Sequence, residues 1–269
     1  MYPKPQKKST SDSGAHGVAR VISKRGFCSR SNAEKLVQSG AVTLRGKVVL
    51  NPDTPAYPND IILVNGKSID ETSKIFFAMN KPRGFVTTAH DEKGRKTVMD
   101  LFREQYAKNH SGARLPHISP VGRLDAASEG LLFFTNDTDF ANQILDPKTH
   151  LDKIYRVQVK PKDSNISPKK LVQKMKEGLT VPPRIYGEPP ELMQAKEALI
   201  FKESEKTLWL EITLSEGKNR EIRRMCEACG YQVLRLVRVQ IGTYKLGNLA
   251  TGAIKEIKDY KISLFISSP

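Results

Sequence analysis

The first folded stretch of the chain shows a helical period of apolar residues followed by short strand-like runs. Apolar side chains three and four residues apart predict a helix that begins at Val18 and ends at Gly26. A second helix is predicted from Ser31, which has capping-box spacing to Glu34, and stops at Gly40. Three strand-like runs follow, at residues 41–44, 47–50 and 60–64. This pattern predicts a small α/β unit.

Longer apolar runs dominate from residue 75 onward. Strands are predicted at residues 75–79, 131–134, 153–159, 208–214 and 232–239. The alternation in residues 153–159 places Tyr155 on the buried face. Helices are predicted between the strands: one capped by Asp137 with Phe140, Ile144 and Leu145 on its apolar face, one through Leu171, Met175 and Leu179, and one that Gly230 ends. The fold class expected here is α+β, on a mixed, mostly antiparallel sheet.

Basic residues outnumber acidic ones by a wide margin. The 269 residues include 44 lysines and arginines against 29 acidic residues, which gives a formal net charge of +15 and a pI of about 9.7. Such a surplus favours a polyanionic partner, held by contacts that weaken steeply as salt rises. Nucleic acid is the expected partner, and charge alone does not distinguish DNA from RNA. Apolar residues make up 38% of the chain, enough for a buried core.

The sequence also limits the compartment and the cofactors. No apolar stretch reaches the length of a bilayer span, and the basic start lacks the apolar centre of a secretory signal, so we expect a soluble cytoplasmic protein. Cys226 and Cys229 form a C-x-x-C pair that is typical of redox or zinc sites, but no second ligand pair has suitable spacing. Their place on the apolar face of a predicted helix favours a structural role. The histidines lack ligand spacing as well, and we expect no metal.

One stretch, residues 121–137, carries the candidate chemistry. Gly122 and Gly130 bracket a loop that contains Asp125, and the apolar run Leu131-Leu132-Phe133-Phe134 is typical of a buried strand. A carboxylate at the mouth of such a strand is held rigidly, as a nucleophile must be. A lone aspartate in a turn more often only caps that turn, so the spacing by itself leaves both roles open.

The whole stretch closely resembles a family motif. The likeness is carried by Gly122-Arg123-Leu124-Asp125, Ser128, Gly130-Leu131-Leu132 and Thr135-Asn136-Asp137. These residues are similar to the signature of the RsuA/RluB branch of ribosomal RNA pseudouridine synthases. The resemblance implies that Asp125 is the nucleophile of an enzyme that breaks the glycosidic bond of a uridine and rejoins the base through carbon. It also implies that the reaction uses no metal and no organic cofactor.

Further residues take their expected roles from the same resemblance. Tyr155 stands in the family's Lys-x-Tyr setting, which implies packing against the target base; ordinary core packing is the alternative. Arg223 matches the basic residue that pairs with the catalytic aspartate, and Leu236 matches a residue that lines the uracil pocket. An RNA-facing surface is the alternative for the arginine-rich helix. A set of cations is expected to contact RNA: Lys81, Arg123, Arg220 and Arg224.

The first unit has a resemblance of its own. It is similar to the S4-like RNA-binding domain shared by a small-subunit ribosomal protein and some tyrosyl-tRNA synthetases. The likeness is carried by residues 28–36, Gly40, Val42 and residues 46–49. Basic residues of this unit, Arg30 among them, are expected to gather on one exposed face and contact phosphates. Gly17 stands where this family usually has an arginine, and an ordinary solvated face is the alternative for the cluster.

We therefore expect a disordered basic tail at residues 1–16, an S4-like RNA-binding domain at 17–72 and a pseudouridine synthase domain at 75–267. The expected reaction is the isomerisation of a uridine in ribosomal RNA. The favoured partner of this monomeric enzyme is 23S RNA or a ribosome-assembly intermediate. A non-catalytic assembly factor that only binds RNA is the main alternative, and modification of transfer RNA is a weaker one. Glu129, Thr138 and Glu221 depart from the family pattern beside the central residues.

Overall fold

The computed structural model describes residues 14–70, 72–88, 91–110, 115–149, 151–163, 167–185, 187–258, 260–261 and 265. Most of the predicted tail, residues 1–13, lies outside the described residues, as do His90 and most of the last apolar stretch at 262–266. By contacts the chain divides into two compact units between Lys74 and Ile75, and Pro116–Ile118 belong to the first. None of the helices in the described ranges has the length and apolar character that a membrane-spanning helix requires.

The first unit consists of two helices and a small antiparallel sheet. Its elements are α1 (Val18–Lys24), α2 (Arg30–Gln38), β1 (His16–Gly17), β2 (Val42–Leu44), β3 (Lys47–Val48), β4 (Pro55–Ala56), β5 (Ile62–Val64) and β6 (Lys67–Ser68). The sheet has the order β3-β2-β5-β6, and β1 pairs with β4. The predicted apolar face of α1 packs in a core with Val37 of α2 and Ile62 of β5, which are completely buried. The predicted α/β unit is confirmed.

The second helix begins two residues earlier than the sequence predicts. Ser29 is the N-cap, and its hydroxyl accepts a hydrogen bond from the Asn32 amide at 3.2 Å. The predicted capping box from Ser31 to Glu34 is wrong, because Glu34 pairs with Arg30 at 3.1 Å. Ser29 and Ser31 are both favourable N-cap residues, and the glutamate three positions after Ser31 makes the later start look better in sequence.

The second unit is built on a nine-stranded sheet within the described residues. Its strands are β7 (Phe76–Lys81), β8 (Ser119–Val121), β9 (Glu129–Thr135), β10 (Lys153–Pro161), β13 (Glu197–Glu203), β14 (Leu208–Leu214), β15 (Tyr231–Ile241), β16 (Tyr244–Lys245) and β17 (Ile254–Glu256). The main order is β13-β14-β10-β15-β9-β7-β17, with β8 on β9 and β16 on β15. The β15–β9 pair is parallel and the other pairs are antiparallel. The predicted mixed, mostly antiparallel sheet is confirmed.

The described residues of this unit also form four α-helices, a short 3-10 helix at Pro147–Thr149 and one small ribbon. The α-helices are α3 (Val98–Asn109), α4 (Thr138–Leu145), α5 (Pro168–Glu177) and α6 (Glu221–Ala228), and the ribbon is the pair β11 (Leu179–Val181) and β12 (Glu191–Met193). No helix is predicted from sequence at α3, although Thr97 and Asp100 form a complete capping box there. Leu179, predicted to continue the α5 helix, lies in β11 instead, because Gly178 ends the helix with φ 93°.

Strand β9 is buried on both faces, which explains its uninterrupted apolar run. Phe134 packs against Phe102 of α3, with ring centroids 4.7 Å apart. Phe133, on the opposite face, packs against Phe76 at 4.9 Å in the main core. All seven residues of β9 are buried. The chain immediately before β9, which contains Asp125, is therefore attached to a completely buried strand.

Candidate active site

A cleft of about 430 Å³ opens in the second unit, between the ends of β8, β10, β14 and β15 and the start of α6. Six of the predicted site residues line it: Arg123, Asp125, Tyr155, Arg220, Arg223 and Leu236. These side chains come from the loop before β9, from β10 and β15, and from α6 and the residue that precedes it. The fold brings them around one space.

Hydrogen bonds fix the backbone of the loop that carries Asp125. Every carbonyl from Leu124 to Ser128 accepts a bond: Leu124 O from Thr87 Oγ1 at 2.7 Å, Asp125 O from Lys81 Nζ at 3.1 Å, Ala126 O from the Gly84 amide at 2.7 Å, Ala127 O from Arg223 Nη2 at 2.9 Å, and Ser128 O from Lys81 Nζ at 2.7 Å. The Ser128 amide also donates to Asp125 O at 2.9 Å, closing a turn. The loop is thereby held in one shape, with the Asp125 carboxylate 46% exposed at the cleft.

Gly130 is required where the loop enters β9. Its φ is 100°, and a Cβ placed there would lie 2.2 Å from the carbonyl oxygen of Arg238 on the parallel strand β15. No larger residue fits, because the obstacle is backbone. The close approach of β9 and β15 places the Asp125 loop beside the strand that carries Leu236.

Among the described residues, the cation nearest to the Asp125 carboxylate is Arg220. Its Nη1 lies 3.7 Å from Asp125 Oδ2, and both side chains are about half exposed. Arg220 has φ 51° and ψ 30°, a left-handed conformation that is costly for a residue with a Cβ. It immediately precedes α6, so this turn sets the direction of its side chain. Such strain is typical of functional sites.

Arg223 lies in the first turn of α6 and is partly buried. Its Nη2 donates to Ala127 O, and its buried Nε has no hydrogen-bond partner. Burial and the nearby charge of Arg220 lower the pKa of Arg223, while the charge of Asp125 raises it. Within the described residues no ion pair shorter than 4.0 Å joins Arg223 to Asp125. Arg223 therefore holds the loop backbone, and its charge interacts with the Asp125 carboxylate over a longer distance. The predicted pairing of Arg223 with Asp125 stays a prediction.

Tyr155 and Leu236 form the floor of the cleft. In the β10–β15 pair, Tyr155 lies opposite Arg238 and Val157 lies opposite Leu236. Tyr155 is 8% exposed and Leu236 is 6% exposed, and both line the cleft. The predicted inward face of β10 is confirmed, since Tyr155, Val157 and Val159 are all buried. The role of Tyr155 against a base stays a prediction.

Lys81, which the sequence predicts to contact RNA, does not lie on an exposed surface. Its side chain is completely buried at the end of β7, and its Nζ donates to the carbonyls of Pro82, Asp125 and Ser128. Burial lowers the pKa of Lys81 to about 8, while the charges of Glu129 and Asp125 raise it. All three donors of the ammonium group are used inside the protein, so Lys81 supports the Asp125 loop instead.

Two other arginines differ in their surroundings. Arg224, which was expected to face RNA, has a side chain that is only 12% exposed. Its Nη1 pairs with Glu191 at 2.7 Å and its Nη2 donates to Pro182 O. Arg30 lies on α2 of the first unit, is largely exposed and pairs with Glu34. RNA contact by Arg30 stays a prediction.

Lys153, Glu221 and Arg238 are among the charged residues that line the cleft without a role predicted from sequence. Burial raises the pKa of Glu221 and lowers the pKa of Lys153, and each charge favours the ionised form of the other. In sequence, Glu221 stands out as a departure from the family pattern and Lys153 belongs to the Lys-x-Tyr setting, but neither feature indicates a role in the cleft. Leu145, expected in the core, is exposed at the cleft instead, where its Cδ2 lies over Gly122. In the described part of the chain no group of three or more His, Cys, Asp or Glu side chains is placed to hold a metal ion.

Known proteins share both the sequence and the fold. The RNA pseudouridylate synthase family model matches residues 75–228, and the S4 domain model matches residues 18–62. Ribosomal large subunit pseudouridine synthase B of Bacillus subtilis is 36% identical over 247 residues, covering 91% of this chain and 93% of the relative. An uncharacterized RNA pseudouridine synthase of Aquifex aeolicus is 33% identical over 249 residues, covering 91% and 92%.

A crystal structure of a pseudouridylate synthase has the same fold, with a TM-score of 0.56 at 24% identity over 90% of this chain and 96% of that one. The synthase family model covers more than half of the chain, and the Bacillus subtilis relative is matched along nearly its whole length. The chain is therefore an isomerase of the RNA pseudouridylate synthase family, with an S4 domain before its catalytic domain.

Proposed function

We propose that this enzyme converts one uridine of large-subunit ribosomal RNA to pseudouridine, with Asp125 as the nucleophile. It acts as a monomer in the cytoplasm, on free RNA or on a ribosome-assembly intermediate. The choice of RNA is supported by the name of the Bacillus subtilis relative, which acts on the large ribosomal subunit. The observation that carries the choice of nucleophile is an exposed carboxylate on a loop whose carbonyls from Leu124 to Ser128 all accept hydrogen bonds. This loop lies at the rim of the cleft that Tyr155 and Leu236 line.

The reaction moves one bond and conserves all atoms. The N1–C1′ bond of the uridine breaks, a C5–C1′ bond forms, C5 loses a proton and N1 gains one. Asp125 attacks the substrate at the sugar or at the ring and leaves again when the new bond has formed. Arg220 Nη1 lies 3.7 Å from Asp125 Oδ2 and attracts the carboxylate, and the hydrogen-bonded loop fixes the direction of the Asp125 side chain. Arg223 supports the same geometry through Ala127 O.

The base must leave the RNA stack to reach Asp125. Enzymes that act on a base extrude it into a pocket and replace the lost stacking with aromatic or apolar side chains. The Tyr155 ring and the Leu236 side chain provide such surfaces on the cleft floor. Arg123 at the rim contacts the backbone beside the target, and Arg30 on the S4 domain holds phosphates elsewhere on the RNA.

The test uses purified protein and transcribed large- and small-subunit RNA, followed by chemical mapping of pseudouridine. We expect one new pseudouridine in large-subunit RNA and the loss of the same site from cells without this gene. Product in small-subunit RNA alone would refute the substrate assignment, and absence of product in both would refute the function.

The role of Asp125 is tested by Asp125→Asn. This variant should bind RNA as tightly as the unmodified enzyme and yield no pseudouridine, because an amide is a poor nucleophile. Asp139→Asn, an exposed site on α4 outside the cleft, serves as the matched control and should remain active. Normal product from Asp125→Asn would favour a protein that uses the cleft only to bind RNA.

A further inference from the structure

The cleft contains buried polar atoms without partners. Glu221 is 3% exposed and Arg238 is 4% exposed, and both line the cleft. Oε2 of Glu221 accepts a bond from the Lys218 amide at 3.0 Å, but Oε1 has no partner. Nε of Arg238 donates to Leu131 O at 2.8 Å, but Nη2 has none. Native proteins leave few buried polar atoms without a hydrogen-bond partner, so we expect a bound group to supply the missing partners of these two atoms.

These atoms lie beside the surfaces proposed to enclose the base. Arg238 is directly opposite Tyr155 in the β10–β15 pair, and Leu236 is two residues away on the same face of β15. Lys153 is two residues from Tyr155 on β10 and lies within electrostatic range of both Glu221 and Arg238. The cleft thus offers one acceptor and at least one donor next to an aromatic ring.

The edge of uracil is complementary to this set. Uracil presents a donor, N3–H, between two acceptors, O2 and O4, whereas cytosine presents an acceptor at N3 and an amino donor at C4. We propose that Glu221 Oε1 accepts the N3–H of the target base while Arg238 Nη2 donates to an adjacent carbonyl, so that the two residues select uracil. This inference rests on the proposed function. It follows because a flipped base is read by hydrogen bonds to its Watson–Crick edge.

The same contacts suit both ends of the reaction. To exchange N1 for C5, the detached base makes a half-turn about the axis through N3 and C6. That rotation leaves N3–H in place and exchanges O2 with O4. Glu221 therefore keeps its donor, and Arg238 meets a carbonyl oxygen before and after the turn. A pair of side chains can hold the base in the cleft without preventing the rotation.

The experiment uses a synthetic RNA fragment around the mapped position, with uridine or 3-methyluridine at the target. Single-turnover rates are compared for the unmodified enzyme, Glu221→Ala and Glu227→Gln, which changes an exposed carboxylate on the same helix. The unmodified enzyme and Glu227→Gln should prefer uridine by roughly 100-fold, because the methyl group removes the donor and meets the carboxylate. In Glu221→Ala the preference should fall below roughly tenfold, since the methyl group occupies the space that the carboxylate leaves.

A second variant distinguishes a change in base recognition from a loss of folding. The amide of Glu221→Gln can donate to N3 of cytosine, so a fragment with cytidine at the target should inhibit this variant about tenfold more strongly than the unmodified enzyme. Circular dichroism melting of all variants reports folding. The inference would be overturned if Glu221→Ala kept the full preference for uridine over 3-methyluridine and if cytidine RNA inhibited Glu221→Gln no more strongly than the unmodified enzyme. The proposed function would then remain intact. No product from unmodified enzyme and uridine RNA would overturn both.

Discussion

Replacing Lys81 by methionine tests how the Asp125 loop is held. Methionine has a similar length and apolar stem but lacks the ammonium group that donates to Pro82 O, Asp125 O and Ser128 O. The substitution leaves three backbone carbonyls without that donor in a site that water does not reach, because Lys81 is completely buried. Both stability and catalysis should respond, since two of the carbonyls belong to the loop of the nucleophile.

The magnitude follows from two opposing contributions. The pKa of Lys81 falls from its ordinary value of 10.5 to about 8, which corresponds to a cost of about 3 kcal/mol for burying the charge. Hydrogen bonds from a charged donor contribute about 1.5–3 kcal/mol each, so the three together exceed that cost. We expect Lys81→Met to lower the free energy of unfolding by about 2–4 kcal/mol. The rate constant kcat should also fall, with little change in KM, because the RNA surface is untouched.

The pH dependence has a defined sign. The folded-state pKa of Lys81, about 8, is lower than the unfolded value near 10.5, so the unfolded chain binds more protons between these two values. The free energy of unfolding of the unmodified protein therefore gains a contribution from Lys81 as pH rises from about 8 to 10.5, and Lys81→Met lacks this contribution. The stability difference between the two proteins should widen across that window.

Urea unfolding followed by circular dichroism measures both effects. Lys108→Met is a matched control, because Lys108 is an exposed residue of α3 that pairs only with Glu104 among the described residues. It should change the free energy of unfolding by less than about 1 kcal/mol. Equal urea midpoints for Lys81→Met and the control, or a stability difference that narrows above pH 8, would refute this account of Lys81.

Three further predictions concern the cleft and its supports. Tyr155→Ala should slow pseudouridine formation roughly 100-fold while Tyr155→Phe stays within about tenfold, because the ring supplies the stacking; equal rates for the two would refute that role. Gly130→Ala should lower the melting temperature by at least roughly 6 °C, because its Cβ would collide with Arg238 O. Gly217→Ala, whose Cβ would meet open space, should leave the melting temperature unchanged. An unchanged melting temperature in Gly130→Ala would contradict the close approach to Arg238 O. Arg220→Ala should lower kcat roughly tenfold, because the carboxylate loses the guanidinium that lies 3.7 Å from it, and an unchanged kcat would count against that contact.

The sequence predicts local patterns in this protein well because each depends on neighbours in the chain. The alternation around Tyr155 places it on the buried face whatever covers that face, and Asp137 caps α4 through the Phe140 amide at 3.1 Å. Lys81 shows the limit. A lysine after an apolar strand is typical of a surface position, and its burial arises only because carbonyls 44 and 47 residues away in sequence surround its ammonium group. Its acceptors are backbone atoms, which no residue pattern specifies.

The arginines around Asp125 show the same limit at the site itself. Helical periodicity predicts which side chains of α6 are buried, but it does not apply to Arg220, whose left-handed backbone lies just outside the helix. That conformation brings Arg220 to the carboxylate, while Arg223, in the first turn, reaches Ala127 O instead. Two cations from distant elements, Lys81 and Arg223, thus hold the backbone of one loop, and a third lies at its side chain. The direction of the carboxylate is therefore set by Lys81, which is 44 positions from Asp125 in sequence, and by Arg223, which is 96 positions from Ala127. How accurately the carboxylate is directed thus depends on the packing of the whole sheet.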